Sequence, residues 1–160
     1  MGAPESGGES ITPEGITALE AELEQLEGPA RREMATRIKE ARELGDLKEN
    51  ADYHLAKEAQ AHLETRIKRL RERLQAAVVV EADTEGGSFA FGRTAEIVDE
   101  GSGEVQTWTL VGSTEADLAA GRLSAESPIG QALEGATVGE TVRVQTPRGE
   151  RSFRVKALIS

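Results

Sequence analysis

Two long stripes of apolar residues at helical spacing constrain the fold of this chain more than any other feature. Apolar residues recur three or four positions apart over residues 16–44 and again over residues 55–77, with Glu, Lys and Arg at many positions between them. Narrow stripes of this kind are typical of helices that bury one face against a single partner. We therefore expect an antiparallel coiled-coil hairpin, a rod of roughly 45 Å at about 1.5 Å per residue.

Capping signals give the bounds of the two expected helices. Thr12 suits an N-cap and Pro13 the first helical position. Gly28 and Pro29 predict a kink or a short break in the first helix. Gly45 predicts its end, and the second helix can begin at Asp46.

The second half of the chain has a different texture, with short β-type runs separated by turns. Ser127 and Pro128 predict a short helix through Leu133. Trp108 lies in the middle of a run, and we expect it in the core rather than in a pocket. The expected strands are residues 94–98, 105–111, 141–146 and 152–158. The whole chain thus predicts a disordered tail at 1–10, the hairpin at 11–80 with its tip near 45–53, and a small α+β domain at 81–160.

Composition excludes several classes of protein. The net charge of -10 argues against general binding to nucleic acid, and the absence of Cys excludes disulfides and thiolate metal sites. His54 and His62 are eight positions apart, which does not suit a helical metal pair. No apolar run predicts a signal peptide or a membrane span, so we expect a soluble, cytoplasmic protein.

Three acidic residues spaced by three, Asp46, Glu49 and Asp52, lie where the two helices are expected to meet. Asp followed by Glu at this spacing is also a capping box, which starts many helices without any catalytic role. Two carboxylates alone make an incomplete site for Mg²⁺, which keeps several waters and shares ligands with phosphate. Both interpretations stay open on spacing alone.

The tip sequence GDLKENADYH, residues 45–54, closely resembles the tip motif of the bacterial GreA family of transcript-cleavage factors. The resemblance continues through ITPEG at 11–15, SPIGQAL at 127–133 and the PRGE turn at 147–150. It implies an N-terminal antiparallel coiled coil followed by a C-terminal domain similar to FK506-binding proteins. Proline at 29 instead of at 32 departs from the pattern that many members show, and it puts the path of the first helix in question.

The resemblance also implies a function. Such factors bind RNA polymerase, insert the coiled coil into its secondary channel and stimulate cleavage of backtracked RNA. By this analogy Asp46 helps to hold a Mg²⁺ ion shared with the polymerase, and Glu49 orients or deprotonates the attacking water. The factor would be no enzyme by itself, would hold no metal when free and would act as a monomer on the nascent RNA 3′ end.

Further residues receive roles by the same resemblance. Tip and RNA contacts are expected from Arg42, Asn50, Tyr53 and Lys57. Polymerase docking is expected from Glu126, Ser127 and Pro128, which equally form an ordinary helix start. Basic residues between 31 and 73 could follow the extruded RNA, or they could pair with Glu at i,i+4 on a solvated surface.

Three alternatives remain for the function. A related inhibitor would enter the same channel without the cleavage tip, and the intact GDLKEN string argues against it. A prolyl isomerase or chaperone is suggested only by the fold analogy, and the second half has few aromatics for such a pocket. In a plain coiled-coil adaptor, Asp46 and Glu49 would be caps and nothing more.

Overall fold

The computed structural model describes residues 8–46 and 50–160 of the chain. It divides into two compact units. The hairpin unit is Ile16–Ala77, and the sheet unit joins the described residues up to Gly15 with Val78–Ser160. The N-terminal helical region and the β-rich second half that the sequence predicts are both present.

The hairpin unit is built on three helices. They are α1 (Pro13–Gln25), α2 (Arg31–Arg42) and α3 (Ala51–Ala76), with a π-helical segment, Leu26–Ala30, between the first two. The Thr12 hydroxyl accepts a hydrogen bond from the Gly15 N–H at 3.0 Å, which confirms the expected cap. Gly28 and Pro29 do not break the helix, because a π-helical turn takes up the irregularity and continues directly into α2.

The expected start of the second helix at Asp46 is wrong, because α3 begins at Ala51. Its N-cap is Asn50, whose side chain accepts a hydrogen bond from the Tyr53 N–H at 3.0 Å. Helix α2 ends at Arg42, and Gly45 follows with a φ of 131°, a backbone conformation that favours glycine. The rest of the expected capping box, Glu49, lies outside the described residues.

A thin apolar seam holds the hairpin unit together. Its buried residues are Ile38, Ala41, Ala56, Ile67 and Leu70. Ion pairs cross between the helices beside this seam, with Arg66 bonded to Glu22 and Arg71 to Glu27. Arg31 binds Glu64 at 2.7 Å in the same way. These arginines therefore do not pair at i,i+4, one of the two interpretations left open by the sequence, and their partners lie across the hairpin.

A five-stranded sheet forms the centre of the sheet unit. Its order is β5-β4-β3-β7-β6, antiparallel except for the parallel pair β4–β5. The strands are β3 (Thr94–Asp99), β4 (Val105–Val111), β5 (Arg122–Ser124), β6 (Thr141–Thr146) and β7 (Gly149–Leu158). All four expected strands are confirmed, two of them with the same bounds, whereas the short β5 was not anticipated.

One core cluster packs against this sheet. Trp108 is 6% exposed and belongs to the cluster, as expected for a central strand residue. The short helix α4 (Pro128–Leu133) adds the fully buried Leu133. The largest fully buried members of the cluster are Phe89, Phe153, Ile97, Leu110, Leu133 and Val155.

The assignment of residues 1–10 to a disordered tail is wrong at its end. Strand β1 (Glu9–Ile11) pairs with β2 (Ala77–Val79), where the sequence had suggested only the close of the helical region. Ile11 is 1% exposed, and its carbonyl accepts a hydrogen bond from the Val80 N–H at 2.9 Å. Burial of this side chain and the backbone pairing order the segment.

Candidate functional site

The turn between α2 and α3 carries the predicted catalytic residue that the structure describes. Asp46 is exposed, directly after the positive-φ Gly45. Leu44 beside it is 69% exposed, and Leu55 in the second turn of α3 is 55% exposed. Large apolar side chains that are exposed singly are common on protein surfaces and do not by themselves identify an interface.

The side chain of Asn50 joins the two helix ends that flank this turn. Its amide nitrogen donates a hydrogen bond to the Ala41 carbonyl in the last turn of α2. Its amide oxygen accepts the bond from Tyr53 N–H that caps α3. Asn50 was predicted as a tip or RNA contact, and its two polar groups both contact backbone here.

Two more of the predicted tip residues contact each other. The guanidinium carbon of Arg42 lies 5.9 Å from the centre of the Tyr53 ring, within cation–π range. The Tyr53 ring also meets His54 edge to face, with 5.8 Å between ring centres. Lys57, the fourth predicted contact, donates to the Gln60 side chain at 2.9 Å and is not part of this group.

Asp46 is the predicted metal ligand that lies within the described residues of the tip. Within residues 8–46 and 50–160, no three His, Asp or Glu side chains are grouped closely enough to hold an ion. Asp46 supplies one carboxylate, which fits part of a Mg²⁺ shell but not a whole one.

Over residues 8–46 and 50–160, no helix combines the length and apolar character that crossing a membrane requires.

The second predicted site, Glu126, Ser127 and Pro128, lies at the start of α4. The Ser127 hydroxyl accepts a hydrogen bond from the Gly130 N–H at 3.0 Å and donates one to the Ser124 carbonyl at 2.7 Å. This confirms Ser127 as the N-cap. Glu126 and Pro128 are exposed, so the capping role leaves both side chains accessible to a partner.

A groove of about 530 Å³ runs past this helix start, and sequence reasoning did not find it. Its apolar lining includes Leu118, Leu123, Ile129 and Pro147, and its charged lining residues are Arg122, Arg148 and Arg151. All three charged lining residues are thus arginines, of which Arg122 pairs with Asp117 and Arg151 with Asp99. We call this groove the α4 groove. Its residues come from separate turns and strands, which no local sequence pattern connects.

A smaller cavity of about 350 Å³ adjoins the α4 groove, with Leu118, Ile129 and Arg151 in both linings. Trp108 and Phe153 line it, so the tryptophan belongs to the core and also borders a pocket. The Arg151 guanidinium lies 4.9 Å from the Phe153 ring centre and donates to Asp99 at 2.7 Å. This hydrogen bond, with a second from the Gly101 N–H, lowers the pKa of Asp99.

Comparisons with known proteins agree with the tip motif. Residues 9–79 match the family model for the N-terminal part of transcription elongation factors, and residues 83–159 match the C-terminal model for GreA/GreB. Transcription elongation factor GreA of Ruegeria pomeroyi is 43% identical over 92% of this chain and 95% of its own length. The GreA protein of Rhodospirillum rubrum is 44% identical over 91% and 93%.

Among solved structures, the GreA factor homolog 1 protein of Thermus thermophilus is 30% identical over 94% of this chain and 98% of its own, with a TM-score of 0.42. The two family models together cover almost the whole sequence. The two GreA relatives, at 43% and 44% identity and matched over 95% and 93% of their own length, agree with the family models. The chain therefore belongs to the GreA/GreB family of transcription elongation factors.

Proposed function

We propose that this chain stimulates RNA cleavage by RNA polymerase, lending Asp46 and Glu49 to the polymerase's own catalytic centre. The observation that carries the proposal is the exposure of Asp46 in the turn at the end of an ion-paired helical hairpin. A hairpin of this kind fits a narrow channel such as the secondary channel. The factor itself would not be an enzyme.

The chemistry assigned to the tip is phosphodiester hydrolysis. A Mg²⁺ ion held jointly by polymerase carboxylates and Asp46 would supply charge stabilisation at the reacting phosphate. Glu49 would accept a proton from the attacking water or orient it. Lys57 and Arg42 bring positive charge close to the turn, which suits an approaching RNA 3′ end.

Docking is assigned to the sheet unit, through Glu126, Ser127 and Pro128 at the rim of the secondary channel. The α4 groove supports this role, because apolar walls with exposed arginines suit a polypeptide surface that is partly acidic. A sheet with α4 packed against its core is also compatible with the proposed likeness to FK506-binding proteins. We expect no prolyl isomerisation from it, and a cytoplasmic monomer as the active form.

Replacing Asp46 with Asn tests the proposal directly. Because Asn50 rather than Asp46 caps α3, the change leaves the helix start intact. We expect polymerase binding to persist while RNA cleavage in a stalled elongation complex falls by about 10²-fold, as when one charge-stabilising group is removed. Excess Mg²⁺ should restore part of the rate if Asp46 acts through the metal.

The matched control is Asp52→Asn, an exposed carboxylate in the first turn of α3. It removes the same charge a short distance away and should retain cleavage. Equal cleavage by the parent and by Asp46→Asn would contradict the role of Asp46. If the parent binds polymerase and produces no shortened RNA, the channel-binding inhibitor is the better assignment.

A further inference from the structure

Three of the residues expected to contact RNA form instead a connection between the two helix ends of the tip. Asn50 bonds to the Ala41 carbonyl on one side and to the Tyr53 N–H on the other. Arg42, next to Ala41 in the chain, lies over the ring of that same Tyr53. We infer that Asn50 is a positioning residue, which closes the turn and thereby fixes Asp46 for cleavage. This inference rests on the proposed function.

The chemistry of the amide explains why Asn suits this position. The first N–H groups of α3 have no partners within their own helix, whereas the Ala41 carbonyl of α2 already accepts the Leu44 N–H at 3.2 Å. An amide side chain is both donor and acceptor, so Asn50 satisfies a group of α3 and adds a second bond to the Ala41 carbonyl. A carboxylate offers only acceptors, and a serine hydroxyl is shorter. Either could cap α3, but neither could also donate to the Ala41 carbonyl over the same distance.

Burial separates this connection from an ordinary surface contact. Ala41 is 5% exposed, and Asn50 and Tyr53 are both half-buried. The Asn50 bond to the Ala41 carbonyl connects the start of α3 to the last turn of α2. Arg42, which is exposed, lies within cation–π range of the Tyr53 ring and makes a second, weaker contact between the same two ends. We call these four residues, Ala41, Arg42, Asn50 and Tyr53, the tip latch.

Asp46 follows Arg42 and precedes Asn50 in the chain, so in this inference its position depends on the latch being closed. Catalytic groups misplaced by about 1 Å can lose about 10²-fold in rate. An open latch should therefore lower the rate of cleavage inside a bound complex. It should leave docking by the sheet unit unchanged, because none of the latch residues belongs to that unit.

Two substitutions in the full chain open the latch while keeping the cap. Asn50→Ser and Asn50→Asp both retain an acceptor for the Tyr53 N–H and both lose the donor to Ala41. We expect each to lower the maximal cleavage rate about 10- to 100-fold at saturating factor. The factor concentration giving half the maximal rate should stay at the parent value. Since Asp adds a charge and Ser does not, a loss confined to Asn50→Asp would overturn the inference.

Tyr53 supplies the matched pair for the stacked side of the latch. Tyr53→Phe keeps the ring under Arg42 and removes only the hydroxyl, so it should lower the maximal rate much less than loss of the whole ring. Tyr53→Ala removes the ring and should lower the maximal rate. If Tyr53→Phe loses as much as Tyr53→Ala, the hydroxyl contacts substrate and the latch assignment for Tyr53 is wrong.

A double-mutant cycle separates positioning from a role that does not pass through Asp46. If Asn50 acts by placing Asp46, Asn50→Ser should cost little in the background of Asp46→Asn. Two losses that multiply in full would overturn the inference. So would a loss that grows with the length of the extruded RNA, or one that appears only as weaker binding. A parent protein that never cleaves refutes the proposed function instead, which keeps the two failures apart.

Discussion

The hairpin unit and the sheet unit are stabilised in opposite ways. In the sheet unit, Phe89, Leu133 and Phe153 are fully enclosed by a single core. In the hairpin unit the buried seam includes two alanines, and charged pairs at its edges join the helices. Apolar volume therefore dominates the stability of the sheet unit, whereas the hairpin divides its stability between a narrow seam and electrostatics. A hairpin with a polar surface can enter an aqueous channel without exposing a broad apolar face.

The largest expected effect tests the core of the sheet unit. Phe153→Ala should destabilise this unit by about 3–5 kcal/mol, because it removes a fully buried aromatic side chain and leaves a cavity. The Trp108 ring centre lies 5.8 Å from that of Phe153, and Trp108 is the only tryptophan of the chain. Its fluorescence during denaturant unfolding therefore reports the change locally.

Val138→Ala is the control for that experiment, because Val138 is 53% exposed in the same unit. It should change the free energy of unfolding by less than about 0.5 kcal/mol. Similar losses for the two variants would show that enclosure by the core does not set the stability of the sheet unit.

A slightly smaller effect is expected at the seam of the hairpin. Ile67 is 1% exposed, so Ile67→Ala should reduce the free energy of unfolding by about 2–4 kcal/mol. The helical circular dichroism signal should then be lost at a lower denaturant concentration than in the parent. Leu55→Ala removes a comparable side chain that is 55% exposed, and it should be nearly neutral. A neutral Ile67→Ala would mean that the charged pairs, not the seam, hold the hairpin together.

The charged pairs of the hairpin should contribute less. Arg66→Met keeps the apolar stem and removes the bond to Glu22, which should cost about 0.2–1 kcal/mol at low salt. Added salt should shrink the difference between the variant and the parent, because exposed charges are screened. A difference that survives high salt would place the effect in packing of the side chain and not in charge.

The smallest expected effect concerns pH and the sheet unit. Because the hydrogen bond from Arg151 lowers the pKa of Asp99 in the folded protein, the unfolded state binds the proton more readily. The contribution is complete above the ordinary aspartate pKa and is lost as the pH falls through the lowered value. Asp99→Asn should therefore reduce the fall of the unfolding temperature on acidification. An unchanged pH profile would show that Asp99 does not contribute to the loss of stability at acidic pH.

Periodicity and capping alone predicted much of this fold. Steps of three and four predicted the helices, short β-type runs between turns predicted the four longer strands, and Ser127-Pro128 predicted the start of α4. The strands β1, β2 and β5 were missed because three residues carry too short a pattern. They form because their backbones meet partners distant in sequence.

In the candidate site, too, local features were predicted from the sequence and contacts between distant segments were not. Asp46 was predicted because its tip motif is continuous in sequence. The start of α3 was misplaced because Asp46 and Asn50 are both good caps, and in the structure it is Asn50 that accepts the Tyr53 N–H. The α4 groove was missed because turns and strands far apart in the chain contribute to it. Local chemistry is readable from sequence, whereas convergence of separate segments is not.

The π-helical segment at Leu26–Ala30 has a consequence for the far end of the hairpin. Each residue of an α-helix turns the chain by about 100°, so an insertion or deletion here changes the azimuth of every side chain that follows in α2. A deletion of Gly28 that restored a regular helix would swing Ala41 and Arg42 away from the partners they now face. The orientation of the side chains at the tip thus depends partly on the π-helical segment, which lies far from the tip in the chain.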